Sequence, residues 1–175
     1  MKKQPLGQNF LIDENIAREI VRLAGVSSDR PVVEIGPGKG ILTELLLEQA
    51  ESLTAIEIDT KLSLALNRRF GSNKNFRLIE ADALKYDYGT LGTGYQVVSN
   101  LPYYAATHIL KRLIHYRSHI TRKTVMLQKE VVDRLTAQPG TRDYGSLSVF
   151  MQFHCEVERL LEVGKDAFSP KPKID

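Results

Sequence analysis

Apolar residues recur at helical spacing over Ile16, Ile20, Val21 and Leu23, between Asp13 and Gly25. The spacing predicts an amphipathic helix capped by the aspartate and stopped by the glycine. Beyond it the period alternates between short apolar runs and longer amphipathic stretches. "PVVEI" (31–35) predicts a strand, "ILTELLLEQA" a helix, "LTAIEI" (53–58) a strand, and "TKLSLALNRRF" a helix closed by Gly71. "FRLIE" (76–80) and "YQVVSN" (95–100) read as further strands, and residues 105–116 as a helix. "TVMLQK" (124–129) is expected to be a fifth strand and "EVVDRLTA" a helix. "SLSVFMQFHC" is read as helix and "VERLLEV" (157–163) as a sixth strand.

Such strand–helix alternation predicts an α/β fold, a mostly parallel, doubly wound sheet with helices on both faces. Ligands of these sheets sit outside the carboxyl ends of the strands. Four unusual features fall there: the glycine turn 36–40, Glu57, Asp82 and Asn100. The 175 residues form one domain with an ordinary hydrophobic share of 42%. No apolar run reaches the ~18 residues of a membrane helix, and the start is a poor signal peptide. The single cysteine, Cys155, fits a reducing compartment, so a cytoplasmic location is expected.

The net charge of +3 is unevenly spread. Residues 88–129 contain no acid but six cations: Lys111, Arg112, Arg117, Arg122, Lys123 and Lys129. The first five are expected to meet the phosphates of a polyanion approaching Asn100. His115 and His119 have a metal-like spacing but no third ligand, and no metal is expected.

"EIGPGKG" (34–40), between a strand and a helix, lets backbone approach a ligand at Gly36 and Gly38, with free amides at the helix start. Gly-x-Gly-x-Gly after an acid looks more like the first motif of S-adenosylmethionine-dependent methyltransferases than a nicotinamide site, which stays open here. Glu57, about 20 residues on, suits a ribose diol. Asp82 suits an adenine amino group.

"NLPY" (100–103) then has a chemical use. An amino group on an aromatic base is planar and weakly nucleophilic. Acceptors at the Asn100 side-chain oxygen and the Leu101 carbonyl would localise its lone pair. Pro102 holds the turn, and Tyr103 would stack on the base.

The chain resembles the ribosomal RNA adenine dimethyltransferases in "LGQNFL" (6–11), "EIGPGKGILTELLL" (34–47), "VVSNLPYYAATHIL" (97–110), "LQKEVVDRLTA" (127–137), "GTRDYGSLSVFMQF" (140–153) and "FSPKPKID" (168–175). It is most similar to the small-subunit (16S) branch. The resemblance implies a Rossmann-like class I methyltransferase domain over 1–175 with an N-terminal lid over 1–12. It implies contacts to S-adenosylmethionine from Asn9, Leu11, Gly36, Glu57, Asp82 and Asn100, with S-adenosylhomocysteine as product. Phe168 would face the target base opposite Tyr103. The implied substrate is a pair of adjacent adenosines in a hairpin loop of small-subunit rRNA, within the 30S particle, acted on by a monomer without membrane contact. The family continues past "PKPKID" into a last sheet strand and a helical domain that this chain is expected to lack. An unpaired sheet edge would follow. Resistance methylases of large-subunit rRNA are the near alternative. A nicotinamide-dependent oxidoreductase and a non-catalytic assembly factor are more remote.

Overall fold

A computed structural model describes residues 9–172. The sheet has five parallel strands in the order β4 (Phe76–Glu80), β3 (Ser52–Glu57), β2 (Pro31–Ile35), β5 (Tyr95–Asn100) and β6 (Ile120–Met126). A two-stranded antiparallel ladder lies apart from it, joining β1 (Phe10–Leu11) to β7 (Phe168–Ser169).

Local signals set the helix ends. Asp13 accepts from the amides of Asn15 and Ile16 at 2.9 and 3.1 Å to start α1 (Glu14–Ala24), and Gly25 ends it at φ 62°. Asp59 caps α3 (Thr60–Phe70) through Lys61 and Leu62 in the same way. The two faces of the sheet are covered separately. α1 and α2 (Ile41–Gln49) bury Val21, Leu42 and Leu46 on one face. α4 (Ala106–His115), α5 (Lys129–Thr136) and α6 (Ser146–His154) bury Ile109, Leu113, Leu135 and Met151 on the other.

Two elements depart from the pattern-based expectation. β6 begins at Ile120 and ends at Met126, four residues early at one end and three at the other. Its start, Ile120-Thr121-Arg122-Lys123, carries exposed polar side chains suited to an edge strand, so hydrophobicity alone misplaces it. Residues 157–163 are not a strand. A groove of about 830 Å³ lies between them and β6, so they have no ladder to join. The β1–β7 pair escaped sequence reading because two residues carry no period.

β2 and β5 define the working end of the sheet. They pair at Val32↔Gln96 and Val33↔Val97 and then part. Beyond the last paired residues, the buried Ser99 hydroxyl donates to the Ile35 carbonyl, a side-chain bond across the fork. Ser99→Ala leaves that buried acceptor short of a donor and is expected to cost about 1–2 kcal/mol. Urea unfolding of the variant against the parent checks the value.

Candidate functional site

The fork opens into a cleft of about 220 Å³ at the carboxyl ends of β2, β3 and β5, lined by Asn9, Leu11, Gly36, Gly38, Glu57, Asp82, Asn100, Leu101, Pro102 and Tyr103. Most residues singled out in the sequence are therefore together. The N-terminal part of the lid, 1–8, and the last residues of "FSPKPKID", 173–175, lie outside the described residues.

The floor is the glycine turn. Gly36 follows β2 and bonds through its amide to the Ile56 carbonyl at 2.8 Å. Gly38 adopts φ +58°, and a methyl group there would meet the Phe10 ring at 2.9 Å. The lid strand thus lies directly on the turn, with the Lys39 ammonium 5.0 Å from the centre of the Phe10 ring. Glu57 holds the turn from below. Its Oε2 accepts from the Gly38 amide at 3.3 Å, and Oε1 from the amides of Ile58 and Asp59 at 2.9 Å each. Burial pushes the Glu57 carboxyl upward while these amides oppose the shift.

Asp82 sits in a tight turn, its Oδ1 accepting from the Leu84 amide at 2.9 Å. Ile58 lines the cleft although half exposed, an apolar surface suited to a flat ring. Sequence reading passed over it; the signal was an apolar residue directly after the strand-end acid. Glu34 was also passed over as a group with chemistry. It is 1% exposed, lines the cleft, and accepts from the Thr43 hydroxyl at 2.7 Å. Burial first, and the nearby Glu57 charge to a lesser degree, push its carboxyl up to about 8 against the Thr43 bond.

On the β5 side, the Asn100 side-chain oxygen is buried with no hydrogen-bond partner among the described residues. Buried polar atoms are seldom left so. Leu101 is fixed by its amide, which donates to the Met126 carbonyl at 3.2 Å, and Pro102 packs within reach of Gly36. Tyr103 borders both the cleft and the groove beside β6, whereas Tyr104 is largely exposed.

Phe168 lies beside the groove and not in the cleft itself. Its ring is 7% exposed among Leu11, Ile20 and Val21 and does not line the cleft. The β1–β7 ladder pairs it with Leu11, and both side chains turn into the core beneath the lid. It lines the groove beside β6, where Tyr103 is its neighbour across the wall.

The five basic residues do not share one face. Lys111 and Arg117 are exposed. Arg112 turns inward, its Nε donating to the Tyr86 carbonyl at 3.0 Å and its Nη2 to the Lys85 carbonyl at 3.1 Å, while it stacks on Tyr116. It ties α4 to the loop after Asp82. Arg122 and Lys123 alternate along β6 and so point to opposite faces. Arg122 lies against Gly25 on the α1 side, and half-buried Lys123 lies near Cys155, its ammonium held below its ordinary value by burial. Among the described residues no three His, Cys, Asp or Glu side chains come together as metal ligands, and His119 Nδ1 meets the Gly92 carbonyl at 2.8 Å.

A cradle of positive-φ glycines, a strand-end carboxylate and an unpartnered amide oxygen fits a nucleoside-bearing cofactor beside a base amino group. Comparison with known proteins decides the lineage. The sequence model of the family described as ribosomal RNA adenine dimethylase matches residues 1–175. The chain belongs to that family. It is 49% identical to ribosomal RNA small subunit methyltransferase A of Acidobacterium capsulatum, over 98% of this chain and 62% of the relative. Among solved structures it is similar to a dimethyladenosine transferase from Plasmodium falciparum, with a TM-score of 0.86 and 28% identity over 95% of this chain and 60% of that one. It is also similar to the 23S rRNA methyltransferase ErmE, with a TM-score of 0.82 and 28% identity over 95% of this chain and 66% of that one. The chain spans about three fifths of the length of the first curated relatives it matches. The fold is that of class I methyltransferases, as the resemblance implied.

Two outcomes test this site. Gly38→Ala forces a side chain into a left-handed backbone and against Phe10, so it should weaken binding of S-adenosylmethionine at least tenfold while the far-ultraviolet spectrum is unchanged; calorimetry reads the loss. The stability that Glu34 lends the empty protein is full below its ordinary carboxyl range and is lost as pH rises through about 8. The melting temperature should therefore fall over that window, and more steeply than in Glu34→Gln, as scanning calorimetry across pH would show.

Proposed function

We propose that the domain transfers methyl groups from S-adenosylmethionine to the N6 amino groups of two adjacent adenosines in a hairpin loop near the 3′ end of small-subunit rRNA. Each adenosine would be methylated twice, on the 30S particle, by a monomer in the cytoplasm. The observation that carries this reading is the Asn100 oxygen, an acceptor buried at the cleft with nothing to accept from. An exocyclic amino group supplies the missing hydrogens.

The bound cofactor supplies an electrophilic methyl group on a sulfonium. Everything else falls to the chain. Gly36, Gly38, Glu57 and Asp82 would hold the cofactor's nucleoside and chain, and Ile58 would offer the adenine an apolar surface. Asn100 Oδ1 and the Leu101 carbonyl accept from the amino group, turning its lone pair away from the ring. Tyr103 stacks on the base. The methylated nitrogen is acidic enough to lose its proton to water, so no general base is needed. Rate comes from orientation and from hydrogen bonds in a dry pocket.

Small-subunit rRNA is favoured over large because the curated relatives bearing the small-subunit name reach 42–49% identity over nearly all of this chain. Exposed Lys111 and Arg117 supply cationic surface on the α4 side, and Arg112 serves the fold. We place the family's last strand in the groove along the free edge of β6, where Pro172 brings the chain.

Incubation with labelled cofactor and small subunits lacking the modification tests the reading. The wild type should label them. Asn100→Ala should keep cofactor binding and lose about 10²–10³-fold in turnover. Equal labelling by both proteins refutes the assignment, and tight NADH binding with none of S-adenosylmethionine would point to a dehydrogenase.

A further inference from the structure

Glu34 has no role in the transfer described above, yet it is a wholly buried carboxyl in the wall of the cofactor cleft. It is 1% exposed, at the penultimate position of β2 and directly beneath the glycine turn. Oε2 accepts from the Thr43 hydroxyl of α2 at 2.7 Å. Among the described residues the groups against it bring no positive charge. Thr43 is neutral, and β3 contributes the Glu57 carboxylate. Asp82, Tyr103 and Tyr104 also line the cleft, and among the described residues the lid adds Asn9, Phe10 and Leu11. The nearest lysine in sequence, Lys39, is exposed and lies over the Phe10 ring.

We propose that Glu34 selects the charged cofactor over its neutral product by exchanging a proton. The inference rests on the functional reading above and adds a residue to it. Two carboxylates close together in a buried wall cannot both be ionised cheaply. With the cleft empty, burial keeps Glu34 protonated at neutral pH. A sulfonium entering the cleft favours the ionised form, so the Glu34 O–H bond breaks and the proton passes to solvent. Methyl transfer leaves a neutral thioether and removes that pull. Glu34 takes a proton back from solvent, and the hold on the product weakens. Uncharged support of the glycine turn through Thr43 would instead affect both ligands alike.

Calorimetry in two buffers of different ionisation enthalpy counts the protons released. S-adenosylmethionine and S-adenosylhomocysteine are each titrated into wild type, Glu34→Gln and Thr43→Val between about pH 6 and about pH 9. In the wild type, S-adenosylmethionine should release more protons than the product, and its preference over the product should rise roughly tenfold across about two pH units. Ionisation of the ligands' own amino groups is common to all three proteins and cancels between them. In Glu34→Gln the excess release and the rising preference should vanish. Thr43→Val removes a bond that favours the ionised form, so its release should move to higher pH; this variant decides the matter if Glu34→Gln does not fold. Wild-type excess release retained in Glu34→Gln, or an unmoved midpoint in Thr43→Val, overturns the proposal and leaves the functional reading standing. Failure of the wild type to bind S-adenosylmethionine overturns both.

Discussion

Two parallel strands that run side by side and then part create this site. β2 and β5 are neighbours in the sheet, but Ile35 and Ser99 are 64 residues apart in the chain. The helix after β2 packs on one face of the sheet and the helix after β5 on the other. Their connecting loops must leave in opposite directions, and a cleft opens between them. The glycine turn and the Asn-Leu-Pro-Tyr turn are its two walls, so any shift at the fork alters the distance between them. Ser99 spans the fork by a side-chain bond beyond the paired residues of the two strands. The lid depends on the same constraint, because Phe10 rests on the turn that one wall provides.

Charge is separated in space in a way that suits the chemistry. Inside, the cleft wall carries Glu34, Glu57 and Asp82, which suits a positively charged small molecule. Outside, the acid-free stretch 88–129 leaves Lys111 and Arg117 facing solvent, which suits a polyanion. Arg112 belongs to neither. It is spent on main-chain carbonyls of the loop that carries Asp82, coupling the helix behind the Asn-Leu-Pro-Tyr turn to the far wall of the cleft.

What could be read from sequence was local. The Asp13 and Asp59 caps, the Gly25 stop and the helix at 146–154 follow from residues within a turn of one another. The strand ends bearing Gly36, Glu57 and Asn100 were legible because apolar runs stop there at chemically distinctive residues. What failed was non-local. Residues 157–163 read as a short apolar strand, but a strand needs a neighbour, and among the described residues none adjoins them. Arg112 reads as a surface cation until its carbonyl partners, 26 residues away for Tyr86, are known. Phe168 was placed opposite Tyr103 by resemblance; its ring packs beside Leu11 and also lines the groove that Tyr103 borders, a placement no local pattern shows. Glu34 looked like part of a motif, and only its burial shows that it titrates in an unusual range.

The central claim is that the unpartnered oxygen of Asn100 exists to receive a base amino group. A crystal structure with a bisubstrate ligand, adenosine joined through N6 to the sulfur-side chain of the cofactor, tests it most directly. The account predicts N6 within about 3.2 Å of Asn100 Oδ1 or the Leu101 carbonyl, with the ring on Tyr103. A ligand bound in the cleft with N6 directed to solvent, and the Asn100 oxygen still without a partner, would contradict it.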